Sequence, residues 1–407
     1  MFSDLVVFSD NDIYHFEPKK GCGSYLYNNT GDKILDFSTN VGKNILGYAH
    51  PSIEKAIIEQ LKVGLYSQPK NLINSMELNL KNKLCRLAGF SSLNVDNEII
   101  GDVVFTNSAI EANTIAMQIA RIRYNKLCDR DYNEIICLHG SNHKNLLFNN
   151  NISSVNSSDK PETTFPWFKY AEINNIQSVE RMITEHTCAI MIETVQYNNG
   201  IKACDQLFLK QIRELSTKHE ILLIIDETYC GGGRTGTFFT YQKYGIIPDI
   251  VTVSSGIAGG FPLSACILNK KYIKYTPLTT YNGYDGGQLL LHISDAVIDI
   301  ITNDKTIANI DLTAKVFSNY LKQIEKRYAN IIQSCNSYGL AASIKLCHHI
   351  NCRKFAQILF SNRLLVDCIG TDTVLLSPPL TVSVEETKIA IKTIALSLEE
   401  IAIIERY

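Results

Sequence analysis

Residues 221–262 read ILLIIDETYCGGGRTGTFFTYQKYGIIPDIVTVSSGIAGGFP, and this stretch limits the fold more than any other. It opens on an unbroken apolar run, residues 221–225, which reads as a strand covered on both faces. Such strands belong to mostly parallel sheets with helices on either side. Asp226 and Glu227 follow at the carboxyl end, the edge where open α/β sheets hold their ligands. Gly231, Gly232, Gly233 and Gly236 give the backbone freedom beside that edge. A second apolar run, residues 250–253, leads into Ser254-Ser255-Gly256 and the flexible pair Gly259-Gly260. Two strand ends, two glycine loops and one buried carboxylate predict a site.

A chain of 407 residues has room for two domains with substantial cores. The net charge of −2, with no basic run, argues against nucleic acid or an anionic membrane as a partner. No apolar run is long enough to span a bilayer, and the opening MFSDLVVFSDND lacks the basic segment of a signal peptide. The 12 cysteines are scattered without a CxxC pair, which predicts buried free thiols in a reducing cytoplasm. Cys347-His348-His349-Ile350-Asn351-Cys352 is the only cluster of metal-ligand types. It lacks a second pair at zinc spacing, so we expect a loop there and no metal.

Along the chain, residues 25–32 have the pattern of a hairpin, and Pro51 opens a helix with apolar positions Ile53, Ile57, Ile58 and Leu61. Residues 103–106 form a strand followed by a helix from Ala109, with Ser108 and Glu111 spaced as a capping box. Strands are expected at 135–138 and 188–192, the latter ending at Glu193, and a polar surface loop at 149–164. Helical patterns at 289–303, 306–328 and 383–403, with strands at 341–346 and 373–376, predict a smaller α+β domain. The expected division is an arm at 1–45 belonging to the small domain, a large domain at 46–275, and a small domain at 276–407.

Several of these segments resemble the class III, fold-type I aminotransferases that use pyridoxal phosphate, the ornithine and acetylornithine group above all. The resemblance rests on Asp226, Gly233-Arg234-Thr235-Gly236, Pro248-Asp249-Ile250, Leu35-Asp36-Phe37, Leu46-Gly47-Tyr48-Ala49-His50-Pro51 and Ser377-Pro378-Pro379-Leu380-Thr381. It implies a mostly parallel sheet in a large domain, a smaller α+β domain, and a homodimer whose sites use both subunits. It also implies that Asp226 pairs with the ring nitrogen of the cofactor. The family's Schiff-base lysine falls at Ser255. The phosphate-cradling run N-S-G-T-E-A-N reads here with Ser108, Ala109 and Ile110, and G-S-F/Y-H-G-R reads with Asn142, His143 and Asn145. The run E-P-x-Q-G-E-G-G falls on residues 193–200, where Glu193 and Gln196 are kept and the second glutamate becomes Asn198. A β-branched residue and a glutamine become Thr228 and Tyr229, the threonine that crosses the dimer becomes Tyr284, and a carboxylate-binding arginine becomes Leu375.

These departures fall on positions that the resemblance assigns to cofactor or substrate, and a serine hydroxyl cannot replace an amine in imine chemistry. We therefore expect no cofactor, with pyridoxal or pyridoxamine phosphate as what the resemblance alone would imply. The leading expectation is a repurposed enzyme acting on an amino-acid-like small molecule. Its candidate groups are Asp226, His143, Ser255, Glu193 and Tyr229. The alternatives are a non-catalytic dimeric homologue that binds a partner or small molecule, and a divergent aminotransferase that uses the cofactor.

Overall fold

A computed structural model describes residues 14–69, 72–91, 99–128, 134–143, 167–273 and 286–404. The expected surface loop at 149–164, Asn145 and Tyr284 lie outside these residues. The chain divides into two compact units, Pro51–Ile307 and Met1–His50 with Ala308–Tyr407. The boundaries thus fall after residues 50 and 307 rather than after 45 and 275. The second shift has a packing cause: the helix Gly287–Ile301 lies against the helices Pro51–Val63 and Ser75–Leu87 of the same unit.

The larger unit is built on seven strands: β1 (Gly101–Thr106), β2 (Glu134–Leu138), β3 (Phe168–Ala171), β4 (Thr187–Ile192), β5 (Leu222–Asp226), β6 (Ile250–Val253) and β7 (Ser264–Asn269). Their order across the sheet is β1-β7-β6-β5-β4-β2-β3. Only β7 runs against its neighbours, β1 and β6. This is the α/β architecture with a mostly parallel sheet that the sequence predicts. Every residue of β4, β5 and β6 is buried, as the apolar runs require of strands covered on both faces. In register, Asp226 on β5 stands opposite Thr252 on β6, which aligns the two strand ends that build the site.

The glycine loop after β5 is fixed by one close approach. A Cβ on Gly231 would sit 2.6 Å from the Glu227 carbonyl oxygen and 3.0 Å from Val253 Cγ2, so no larger residue fits there. The capping box at the start of the Ala109–Cys128 helix is present in shifted form. Ser108 Oγ accepts from the Glu111 amide at 3.3 Å, and Glu111 accepts from the Asn107 amide at 2.8 Å.

The smaller unit holds an antiparallel sheet in the order Ile332–Tyr338, Ala341–Leu346, Thr373–Leu376, Asp367–Ile369. The expected hairpin forms from Tyr25–Tyr27 and Lys33–Asp36. The run from Cys347 forms the expected loop after the strand Ala341–Leu346, and the helix Cys352–Ser361 follows it, with Asn351 capping its first turn. One feature differs from the sequence expectation. Cys352 and Cys368 form a disulfide that ties this helix to the strand Asp367–Ile369, so not all cysteines are free thiols. Spacing could not show that pair, because sheet pairing brings Cys368 to the helix start. No helix among the described residues is long and apolar enough to cross a membrane.

Candidate functional site

Asp226 sits at the carboxyl end of β5 with its side chain 1% exposed. Burial alone would raise its carboxyl, yet the His143 imidazole and the Thr228 amide hold it below its ordinary value. His143 Nδ1 lies 2.9 Å from Asp226 Oδ2, and the Thr228 amide donates to Oδ1 at 2.9 Å. Burial opposes charge on His143, but the Asp226 hydrogen bond outweighs it and raises the imidazole well above its usual range. His143 is fully buried, so it acts on Asp226 rather than on anything entering the cleft.

A third partner, Asn113, is one that sequence reasoning missed. Its Nδ2 donates to Asp226 Oδ2 and to the His143 carbonyl, both at 2.8 Å. Its Oδ1 accepts from Thr252 Oγ1 at 2.6 Å, which fixes which way the amide faces. The signal was the 3.6-residue period: the helix that begins beside Ser108, Ala109 and Ile110 carries Asn113 one turn further in. Those three positions lie at the helix amino terminus, half-buried, after the end of β1.

Glu193 follows β4 and accepts from the Asn142 amide at 2.9 Å. Asn142 Nδ2 in turn donates to Tyr197 Oη at 2.8 Å. Tyr197 stacks on Tyr229, with ring centroids 4.7 Å apart. Gln196 Nε2 donates to the His139 carbonyl and to Ser141 Oγ, both at 3.0 Å, and so clamps the loop after β2 to the loop after β4. Ser255 is the first residue of the short turn Ser255–Ala258 beyond β6, 8% exposed. The structure therefore pairs Asp226 with His143, links the adjacent Asn142 to Glu193 and through Tyr197 to Tyr229, and places Ser255 just beyond the neighbouring strand end.

Glu227, adjacent in sequence, turns the other way. Its carboxylate accepts from Thr240 Oγ1 at 3.0 Å and the Tyr241 amide at 3.2 Å, and burial pushes its carboxyl up to about 8. It is a fully buried anchor of the glycine loop.

The chain matches the family model "Aminotransferase class-III" over residues 7–398. The chain belongs to that family. This class III member is 30% identical to the acetylornithine aminotransferase of Pseudomonas putida, over 83% of this chain and 80% of that one. It is 30% identical to the acetylornithine aminotransferase of Methanocaldococcus jannaschii, over 90% and 89%. The N-acetylornithine aminotransferase structure from Stenotrophomonas maltophilia K279a superposes with a TM-score of 0.80 at 21% identity, covering 97% of this chain and 98% of that one.

These matches correct the expectation of no cofactor, and they point to pyridoxal phosphate. The physical reason is visible in the Asp226 network. The sequence reading summed losses at the phosphate and ring face, whereas the groups that hold the ring-nitrogen carboxylate are all in place. A buried aspartate kept ionised by three donors fits a protonated pyridine nitrogen, so the donor set agrees with the cofactor at that end.

Proposed function

We propose that this class III member binds pyridoxal phosphate or pyridoxamine phosphate without a covalent link through residue 255, and acts on an amino-acid-like small molecule. The observation that carries this reading is the ionised Asp226, held by His143, Asn113 and Thr228 at a strand end beside Ser255. When bound, the cofactor supplies a ring that draws electrons from the substrate carbon. Asp226 would hold the proton on the ring nitrogen, and His143 would keep Asp226 charged. The amino terminus of the Ala109–Cys128 helix would face the phosphate with backbone N–H groups, since Ala109 and Ile110 offer no hydroxyl. The Ser255 hydroxyl is too weak a base to accept a proton near neutral pH, so a proton leaving substrate must be taken by another group.

The reading includes a homodimer. Its support is a concentration of exposed large apolar side chains within residues 58–73 of the larger unit: Ile58, Leu61, Val63, Tyr66 and Ile73, each at least 49% exposed. Light scattering should give twice the chain mass at micromolar concentration.

The deciding experiment is titration of the purified protein with pyridoxal phosphate and pyridoxamine phosphate, followed by difference absorbance and then gel filtration. Saturable binding that gel filtration reverses supports the reading. Absence of binding at millimolar concentration, or a borohydride-stable link to some lysine, overturns it.

A further inference from the structure

Three positions around Asp226 depart together from the family pattern and touch one another. An aromatic is replaced by Asn142, a glycine by Tyr197 and a glutamine by Tyr229. Taken singly, the first is a lost stacking surface and the third an obstruction. The structure shows one unit instead: Asn142 Nδ2 donates to Tyr197 Oη at 2.8 Å, and the Tyr197 and Tyr229 rings stack at 4.7 Å with 21° between planes. One aromatic lost and two gained at mutually contacting positions is a relocation of aromatic surface.

The unit is built to be rigid. Asn142 is itself held by its amide on Glu193 Oε2, and the Arg234 guanidinium lies 5.8 Å over the Tyr229 ring. Both rings are buried, at 8% and 7% exposure. The pair also stands beside Asp226: Tyr229 is three residues beyond it, Asn142 adjoins His143, and the Asp226 charge is felt at the Tyr197 phenol. Buried aromatic rings offer a flat, electron-rich face that attracts a planar cationic ring.

We propose that the Tyr197–Tyr229 pair, clamped by Asn142, is the wall on which the heteroaromatic ring held by Asp226 rests. This rests on the cofactor reading above. Tyr197 thereby becomes the binding residue, Tyr229 the ring that backs it beneath the Arg234 guanidinium, and Asn142 a positioning residue that acts through Tyr197.

The test is a titration with pyridoxamine phosphate, monitored by difference absorbance, of wild type, Tyr197→Ala, Tyr197→Phe and Asn142→Ala. Inorganic phosphate serves as a competitor that has no ring. The wall predicts that Tyr197→Ala weakens pyridoxamine phosphate about tenfold or more, while Tyr197→Phe stays within about threefold. Asn142→Ala should fall between them, and the phosphate constant should not change. If Tyr197→Ala does not fold, as judged by thermal unfolding, Tyr197→Leu keeps bulk without an aromatic face and should show the same loss. Unchanged or tighter binding by the Ala or Leu variant would mean that the pair is core packing or an obstruction, and the proposal falls while the cofactor reading stands. Wild type that binds no pyridoxamine phosphate overturns both.

Discussion

His143 and Asp226, 83 positions apart in sequence, meet at 2.9 Å in a space that solvent does not reach. Each sustains the charge of the other. Asp226 contributes stability above its unfolded value of 3.8 and loses it as pH falls through its lowered folded value. His143 contributes fully below its unfolded value of 6.5 and loses it as pH rises through its raised folded value. The pair is therefore most stabilising between those two unfolded values. Asp226→Asn should cost about 3–5 kcal/mol in denaturant unfolding at pH 6, because a buried partner is left behind. It should also abolish pyridoxamine phosphate binding. A variant as stable as wild type would show that the pair contributes nothing net.

Glu227 gives the opposite pH slope. Its carboxyl is pushed up to about 8 from an unfolded value of 4.5, so the folded chain keeps a proton that the unfolded chain has released. Stability should therefore fall as pH rises through that window and level off above it. Glu227→Gln keeps an acceptor for the Tyr241 amide and turns an NH2 donor toward the Thr240 hydroxyl, which can accept it; having no proton to release, it should flatten this slope. Unfolding free energies of both proteins at pH 5, 6, 7 and 8 provide the comparison. Parallel curves would place the proton elsewhere.

What the sequence made legible follows from what is local. The apolar runs at 221–225 and 250–253 became strands β5 and β6 because a run buried on both faces has few other uses. Asp226 stood out because it ends such a run. His143 was visible as a loop histidine, but its contact with Asp226 depends on β2 and β5 lying in one sheet. Asn113 and Tyr197 escaped notice for the same reason: each acts through a partner brought near only by folding. The expectation of no cofactor failed because it summed losses at the phosphate and ring face, while the partners that hold Asp226 are brought together only by folding.

The Cys352–Cys368 disulfide closes a loop with a separation of 16 residues. By chain entropy such a loop stabilises by about 3 kcal/mol. Cys368→Ser should lower the unfolding free energy by about that amount under oxidising conditions and make it insensitive to dithiothreitol. A thiol count on denatured, unreduced protein should find 10 free groups, the 12 cysteines less the bonded 2. Twelve would mean the pair is reduced.

The exposed apolar stretch around Leu61 gives a prediction on assembly. Leu61 lies on the Pro51–Val63 helix with 49% of its surface exposed. Leu61→Asp adds a charge to a face that the proposed dimer would cover, at the cost of burying an unpaired carboxylate. The variant should sediment as a monomer with an unchanged unfolding midpoint at low protein concentration. A dimer of undiminished affinity would move the interface elsewhere.

The last prediction concerns residue 255. Ser255→Lys places an amine at the second position beyond β6, the strand that pairs with the one carrying Asp226. Ser255 is only 8% exposed, so burial should lower the amine's pKa and leave part of it neutral and nucleophilic. The Asp226 network needs no rearrangement, because neither Asn113 nor His143 bonds to position 255 in reaching it. The variant should therefore bind pyridoxal phosphate covalently where wild type binds it reversibly. After borohydride reduction and digestion, mass spectrometry should find the added group on the peptide containing residue 255 of the variant, and on no peptide of wild type. Binding by the variant that stays fully reversible would show that the amine does not reach the aldehyde, and would place the ring away from the end of β6.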